Sequence, residues 1–270
     1  MGCASSTTRG LIGGGVITPA RVNTIEFVTI ASDGNSSDFG DLLDDREHTG
    51  ATSNGIRAIW AGGVSPYRNS IEFVTIASEG NATDFGEISH ARRFMGGSAT
   101  QTRGFIMPGF GTDTTFNRIE SVTIASAGNS VDFGDISYGK AGYAYALSST
   151  TRGIIAGGLH YNPPSPATYN SISFVTISTT GDTTDFGDLT TARQSMASMS
   201  SGTRGVIAGG YEGAVSVALN EMQYITCATP GNGTDFGDLV GDTFFCGGVS
   251  STTRGVWGGG ATPTKTNICL

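Results

Sequence analysis

The residues with chemistry to offer are few and scattered. Histidine occurs only at His48, His90 and His160, and cysteine at Cys3, Cys227, Cys246 and Cys269. No Ser-His-Asp or Cys-His set can be assembled from them, so nucleophilic catalysis finds no support. No C-x-x-C pair is present, which argues against a zinc site or a disulfide framework and leaves free, buried thiols as the expectation. We therefore expect no enzyme activity, no cofactor and no metal.

Two residue types recur instead. The phrase Asp-Phe-Gly, followed by Asp or Glu, begins at Asp38, Asp84, Asp132, Asp185 and Asp235. An arginine leads a short apolar run ending in glycines at Arg9, Arg57, Arg103, Arg152, Arg204 and Arg254. Asp33, Asn35, Ser37 and Asp41 alternate oxygens as a calcium loop does, but the first position becomes Ala127, Thr180 and Pro230 in other copies. A ligand lost that often points to a turn and cap. The kinase motif that shares Asp-Phe-Gly needs a phosphate loop, a β3 lysine and His-Arg-Asp, none of which accompanies it. A ring of guanidinium groups suits an anionic ligand, yet a residue repeated in every copy more simply serves the fold. The expectation is an ion pair between each Arg and an Asp of the phrase, tying strands or blades together.

The elements that position these residues repeat every 46 to 53 residues, by the spacing of the five Asp. Each copy has a small, polar segment a, such as residues 144–148, and a segment b of the form Arg152-Gly153-Ile154-Ile155-Ala156-Gly157-Gly158. A variable loop and an Asn precede an alternating segment c, such as Ile25-Glu26-Phe27-Val28-Thr29-Ile30. A Gly-Asn turn then leads to segment d, which carries Asp-Phe-Gly. Alternation and short apolar runs are strand signals, and Gly-Asn suits a tight hairpin turn. Abundant Thr, Ser, Val and Ile argue for an all-β chain, and a period near 50 residues means a radial array of blades, a β-propeller. Segment b and the Asn (Asn23, Asn69, Asn117, Asn170, Asn220, Asn267) occur six times and segment d five times. The expectation is six blades with the sixth incomplete, over residues 1–44, 45–90, 91–139, 140–191, 192–241 and 242–270 of a single domain. The alternative is five blades plus an edge hairpin. An incomplete blade leaves an open strand edge, suited to pairing with another chain or to homo-oligomerisation.

The order of features resembles the kelch repeat, with Gly209-Gly210-Tyr211 like the kelch double glycine and aromatic, and Phe174 or Tyr224 like the aromatic of its third strand. Phe186 and Phe236 stand where kelch usually has Trp. Residues 68–91 and 203–210 also resemble kelch-like arrays in structural proteins of marine bacteriophages, including those of cyanobacteria. That resemblance implies a virion component, in the tail, a fibre or the capsid decoration, and a role in host recognition. Some kelch propellers are copper oxidases, but three scattered His do not match such a site.

The chain carries a net charge of −8 and a pI near 4.8, which argues against nucleic acid or an anionic membrane as partner. No apolar run is long enough for a membrane span, and no signal peptide is visible. Met1-Gly2-Cys3 fits a lipidation pattern, but Ser5 to Gly10 repeats at Ser148 to Gly153, so this segment reads as a strand. The b–c loops, Val16 to Val22, Val64 to Arg68, Phe110 to Phe116, Leu159 to Tyr169, Tyr211 to Leu219 and Ala261 to Thr266, differ while the strands stay alike. Binding is expected there, through Tyr67, Arg68, Phe116, His160, Tyr161, Tyr169 and Tyr211, with a host-surface glycan or another virion protein as ligand. A cellular protein-interaction scaffold is the alternative, and a sugar-active enzyme the third reading.

Overall fold

The structure is a computed structural model of the 270-residue chain and describes residues 1–17, 19–64, 66–112, 116–139, 141–160, 167–213 and 216–261. Tyr161, Asn267 and Cys269 lie outside the described residues. Among those described there is no helix.

Five antiparallel sheets of four strands each follow the repeat. The first holds β1 (Gly2–Ser5), β2 (Arg9–Ile17), β3 (Ala20–Thr29) and β4 (Ser37–Asp41), and the second β5 (Gly50–Ser53), β6 (Arg57–Ala61), β7 (Ser70–Thr75) and β8 (Thr83–Glu87). The third holds β9 (Gly97–Ala99), β10 (Arg103–Ile106), β11 (Arg118–Thr123) and β12 (Val131–Asp135). The fourth has β13 (Tyr145–Ser148) and β14 (Arg152–Ala156), a small loop hairpin of β15 (Leu159–His160) and β16 (Ala167–Thr168), then β17 (Ser171–Thr176) and β18 (Thr184–Asp188). The fifth has β19 (Ala197–Ser200) and β20 (Arg204–Ala208), the hairpin β21 (Tyr211–Glu212) and β22 (Val217–Ala218), then β23 (Glu221–Thr226) and β24 (Thr234–Asp238). A last sheet has only β25 (Gly247–Ser250) and β26 (Gly255–Gly258).

The fold is thus a β-propeller with five complete blades and one hairpin, which matches the alternative count of five blades plus a hairpin. The described residues stop at Ala261, just past β26, so no c or d strand of a sixth copy falls among them. The hairpin does not hang at an edge. The innermost strands touch in a closed series, β1 on β5, β5 on β9, β9 on β13, β13 on β19, β19 on β25 and β25 on β1. Serine hydroxyls stitch the same ring. Ser53 Oγ donates to Ser5 O at 2.6 Å, Ser148 to Ala99 O at 2.7 Å, Ser200 to Ser148 O at 2.7 Å, Ser250 to Ser200 O at 3.0 Å and Ser5 to Ser250 O at 3.1 Å. Small side chains are required here because the strands crowd around the axis.

The core lies between blades. In each blade the c–d register slips at Asp-Phe-Gly, for example between Ile25↔Gly40 and Glu26↔Asp38, so the Phe is the extra residue of a β-bulge. A bulge re-aims its side chain, and here it turns Phe39 toward Trp60, Val74 and Ile76 of the next blade. Phe85, Phe133 and Phe186 repeat this against blades three, four and five. Cys227 and Cys246 are buried free thiols, as expected.

Candidate functional site

In blades two to five the c–d turn clasps the d strand of the preceding blade. Gly80 N–H donates to Phe39 O at 2.8 Å, Ala82 N–H to Asp41 O at 2.7 Å, and Asn81 Oδ1 accepts from Asp41 N–H at 3.0 Å. Asn129, Asp182 and Asn232 accept likewise from Glu87, Asp135 and Asp188. The turn asparagines therefore serve as acceptors across the blade boundary, and none of them adopts the positive φ that a tight hairpin turn predicts. The glycine of Asp-Phe-Gly is explained by the same approach. A Cβ on Gly40 would lie 2.5 Å from Gly80 O.

The recurrent arginines do not pair with the Asp of the phrase, contrary to the sequence expectation. Strand b sits two strands inside d, and the guanidinium reaches sideways instead. Arg9, Arg57, Arg103 and Arg152 Nη1 donate to Ile76, Ile124, Ile177 and Cys227 O, at the end of the next blade's c strand. Each stacks over an aromatic ring of its own blade, as Arg57 does on Phe73 at 4.6 Å and Arg152 on Phe174 at 4.4 Å. Among the described residues the Arg204 side chain keeps only its stack on Tyr224, at 4.5 Å, and Arg254 pairs with Asp33 at 2.6 Å. Asp33 is thereby taken up by an ion pair.

Sequence reasoning missed a second set of charges. Arg46 and Arg92 are fully buried in the d–a connections and bind Glu72 and Glu120 of the following blade's c strand. Arg193 binds Glu221 similarly. These carboxylates, and Gln223, also accept the N–H that follows the previous blade's d strand: Leu43 on Glu72, Ser89 on Glu120 and Thr190 on Gln223. Burial alone would raise the Glu120 pKa, but Arg92 and the Ser89 and Ser130 bonds hold it below the ordinary carboxylate value.

The strand directions put the b–c loops and the d–a connections at one face of the disc, and bridges join them there: Glu47↔Val64, Arg93↔Phe110, Gly142↔Leu159, Gln194↔Tyr211 and Phe244↔Ala261. The predicted loop residues among those described, Tyr67, Arg68, Phe116, His160, Tyr169 and Tyr211, lie at that face but pack locally. Tyr67 lies under Arg93, and Arg68 pairs with Asp44 at 2.7 Å. Phe116 meets His90, His160 lies parallel to Tyr169, Tyr169 meets Tyr138, and Tyr211 meets Phe244.

At the centre of this face the axial channel opens in a cavity of about 260 Å³ that those loop residues do not line. His48, Phe94, Tyr143 and Phe245 converge there. His48 and Phe94 have ring centroids 3.9 Å apart, Phe94 and Tyr143 3.7 Å, and Tyr143 and Phe245 5.7 Å. All four, with Ser195, have φ between 56° and 60°, a region bulky residues avoid. A spiral of backbone bonds enforces it: Phe94 N–H to His48 O, Tyr143 to Phe94, Ser195 to Tyr143 and Phe245 to Ser195. Strain of about 1–3 kcal/mol per residue persists only where surroundings impose it, and it concentrates at functional positions. Burial foremost, with nearby positive charge, lowers the His48 pKa to about 3, so the ring is neutral at ordinary pH. Burial raises the Tyr143 pKa to about 12, which keeps its hydroxyl a donor. The mouth therefore sets aromatic rings and an uncharged imidazole beside polar groups, since Glu47 and Met1, which carries the amino terminus, line the same cavity.

The signal for this site was present in the chain. Four of these residues follow the Asp of Asp-Phe-Gly by 10 positions (48−38, 94−84, 195−185, 245−235) and Tyr143 follows by 11 (143−132). The opposite mouth is lined by hydroxyls, among them Ser6, Thr102, Ser149 and Ser201, around about 760 Å³. Among the described residues no group of His, Cys, Asp and Glu is placed to hold a metal ion. Compared with known proteins, the chain matches no family model and no curated protein.

Proposed function

We propose that this protein is a non-catalytic binding module, a kelch-like propeller whose hairpin is the first half of a sixth blade, and that it serves in a bacteriophage particle. The observation that carries the binding role is the aromatic mouth. Three aromatic rings and an uncharged imidazole are held around the axis by strained backbone, at the face where the variable loops gather. Aromatic faces with a few polar edges suit the apolar face of a sugar ring, and host-surface carbohydrate is the ligand class proposed. Weak single contacts would sum through the many copies of a particle protein. The particle location rests on the wording of the repeat.

The test is a glycan array probed with the intact chain, followed by titration of any hit. Binding that Phe94→Ala and Tyr143→Ala abolish, with cooperative unfolding retained, supports the reading. An array without signal, or a hit insensitive to both changes, sinks the sugar reading. Antibody labelling of purified particles tests the location separately.

A further inference from the structure

Among the described residues, the clasp that joins successive blades is half-made at one place. Phe39, Phe85, Phe133 and Phe186 are each 2% exposed, but Phe236 is 48% exposed. A Cβ on Gly237 would meet nothing closer than Met222 Cε at 4.0 Å, where the equivalent Gly40 and Gly187 abut the next blade's backbone. Among the described residues, no turn donates to Phe236 O or Asp238 O, and no side chain accepts from Asp238 N–H, as happens at the other four blades. Val240, at the position whose N–H finds Glu72, Glu120 or Gln223 elsewhere, is 87% exposed. Strand β26 pairs only with β25, so its outer edge is open among the described residues. Across the gap, Asn35 of blade one clasps no d strand among the described residues.

We propose that this seam docks a partner polypeptide presenting a β-hairpin of the c–d kind. The four occupied copies of the same position define what fits. The first strand must pair along β26 and carry Glu or Gln where Glu72, Glu120 and Gln223 stand, to accept the Val240 N–H. A Gly-Asn or Gly-Asp turn must donate to Phe236 O and Asp238 O and accept from Asp238 N–H. The second strand must present Asp-Phe-Gly to the Gly34-Asn35 turn. This is strand addition to an exposed edge, with main-chain bonds supplying affinity and the turn and acidic group supplying selectivity. The proposal rests on blade geometry and not on the sugar reading.

The experiment titrates the 270-residue chain with a synthetic peptide of the sequence of residues 69–90, followed by calorimetry and sedimentation. The expected result is a one-to-one complex. It should weaken by roughly tenfold or more, about 1.4 kcal/mol, on Phe236→Asp in the protein or Asn81→Pro in the peptide. Gly237→Ala is the second variant, since its added Cβ has space in the free chain but would meet an incoming turn. No complex at millimolar peptide, or one that none of these changes weakens, overturns the proposal. So does a dimer of the chain that the peptide fails to displace and Phe236→Asp dissociates, because the seam would then hold a second copy. The titration reads the seam alone, and its failure leaves the aromatic mouth untouched.

Discussion

Asn81 accepts a hydrogen bond from the backbone N–H of Asp41 at 3.0 Å, although the two residues belong to different blades. Three further boundaries carry the same bond, and the turn of blade one, with Asn35, has no equivalent partner among the described residues. Asn81→Ala should therefore lower stability by about 0.5–1.5 kcal/mol, the net worth of such a bond. Asn35→Ala should change it by much less. Urea denaturation of the two variants side by side checks the difference, and equal losses would count against the clasp.

The arginines make a parallel comparison. Arg57 both stacks on Phe73 and donates to Ile124 O at 2.9 Å, whereas among the described residues the Arg204 side chain only stacks. Arg57→Ala should cost more stability than Arg204→Ala, by about 1 kcal/mol for the extra bond. Thermal unfolding of both variants measures it.

Breaking a buried pair costs far more than losing an exposed one. Arg92 and Glu120 lie 2.5 Å apart with side chains 0% and 1% exposed. Arg92→Met leaves Glu120 buried and uncompensated and should destabilise by about 3–5 kcal/mol. Because the folded-state pKa of Glu120 is depressed, its contribution is present above the unfolded value of about 4.3 and is lost as pH falls through the folded one. Glu120→Gln should be less stable than the parent at pH 7, and the gap should narrow below pH ~4.

His48 sets a separate pH window. Its pKa is about 3 in the folded chain, against about 6.5 unfolded. Unfolding takes up a proton between these values, so stability should fall as pH drops from about 6.5 toward 3. His48→Phe removes that component. Melting temperatures between pH 7.5 and 5, above the range where most carboxylates titrate, should be flatter in the variant.

Much of the fold was legible in the residues. A period near 50, alternating c segments and small a segments imply blades, because strand pairing is written in local pattern. Four of the five Phe of Asp-Phe-Gly are buried, and their recurrence at one place in every copy of segment d was visible in the chain. The partners of repeated polar residues were not legible. Arg and Asp recur together at one blade end, which suggests a pair, but strand b lies inside d and its neighbour is the next blade's carbonyl. Nothing in the repeat marks Arg46 and Arg92 as buried, since they lie in connections, and only the inter-blade packing puts both at 0% exposure.

By itself, the sequence determined the repeat: its strands, its turns and the glycines that let backbones approach. Those follow from local conformational preference and side-chain period. Tertiary structure decided what the repeats do to one another. Closing them around an axis brings residues some 50 positions apart into contact. It gathers His48, Phe94, Tyr143 and Phe245 into one mouth, and among the described residues it covers Phe186 and leaves Phe236 exposed. Neither relation exists within a single copy, since each depends on which blade stands beside which.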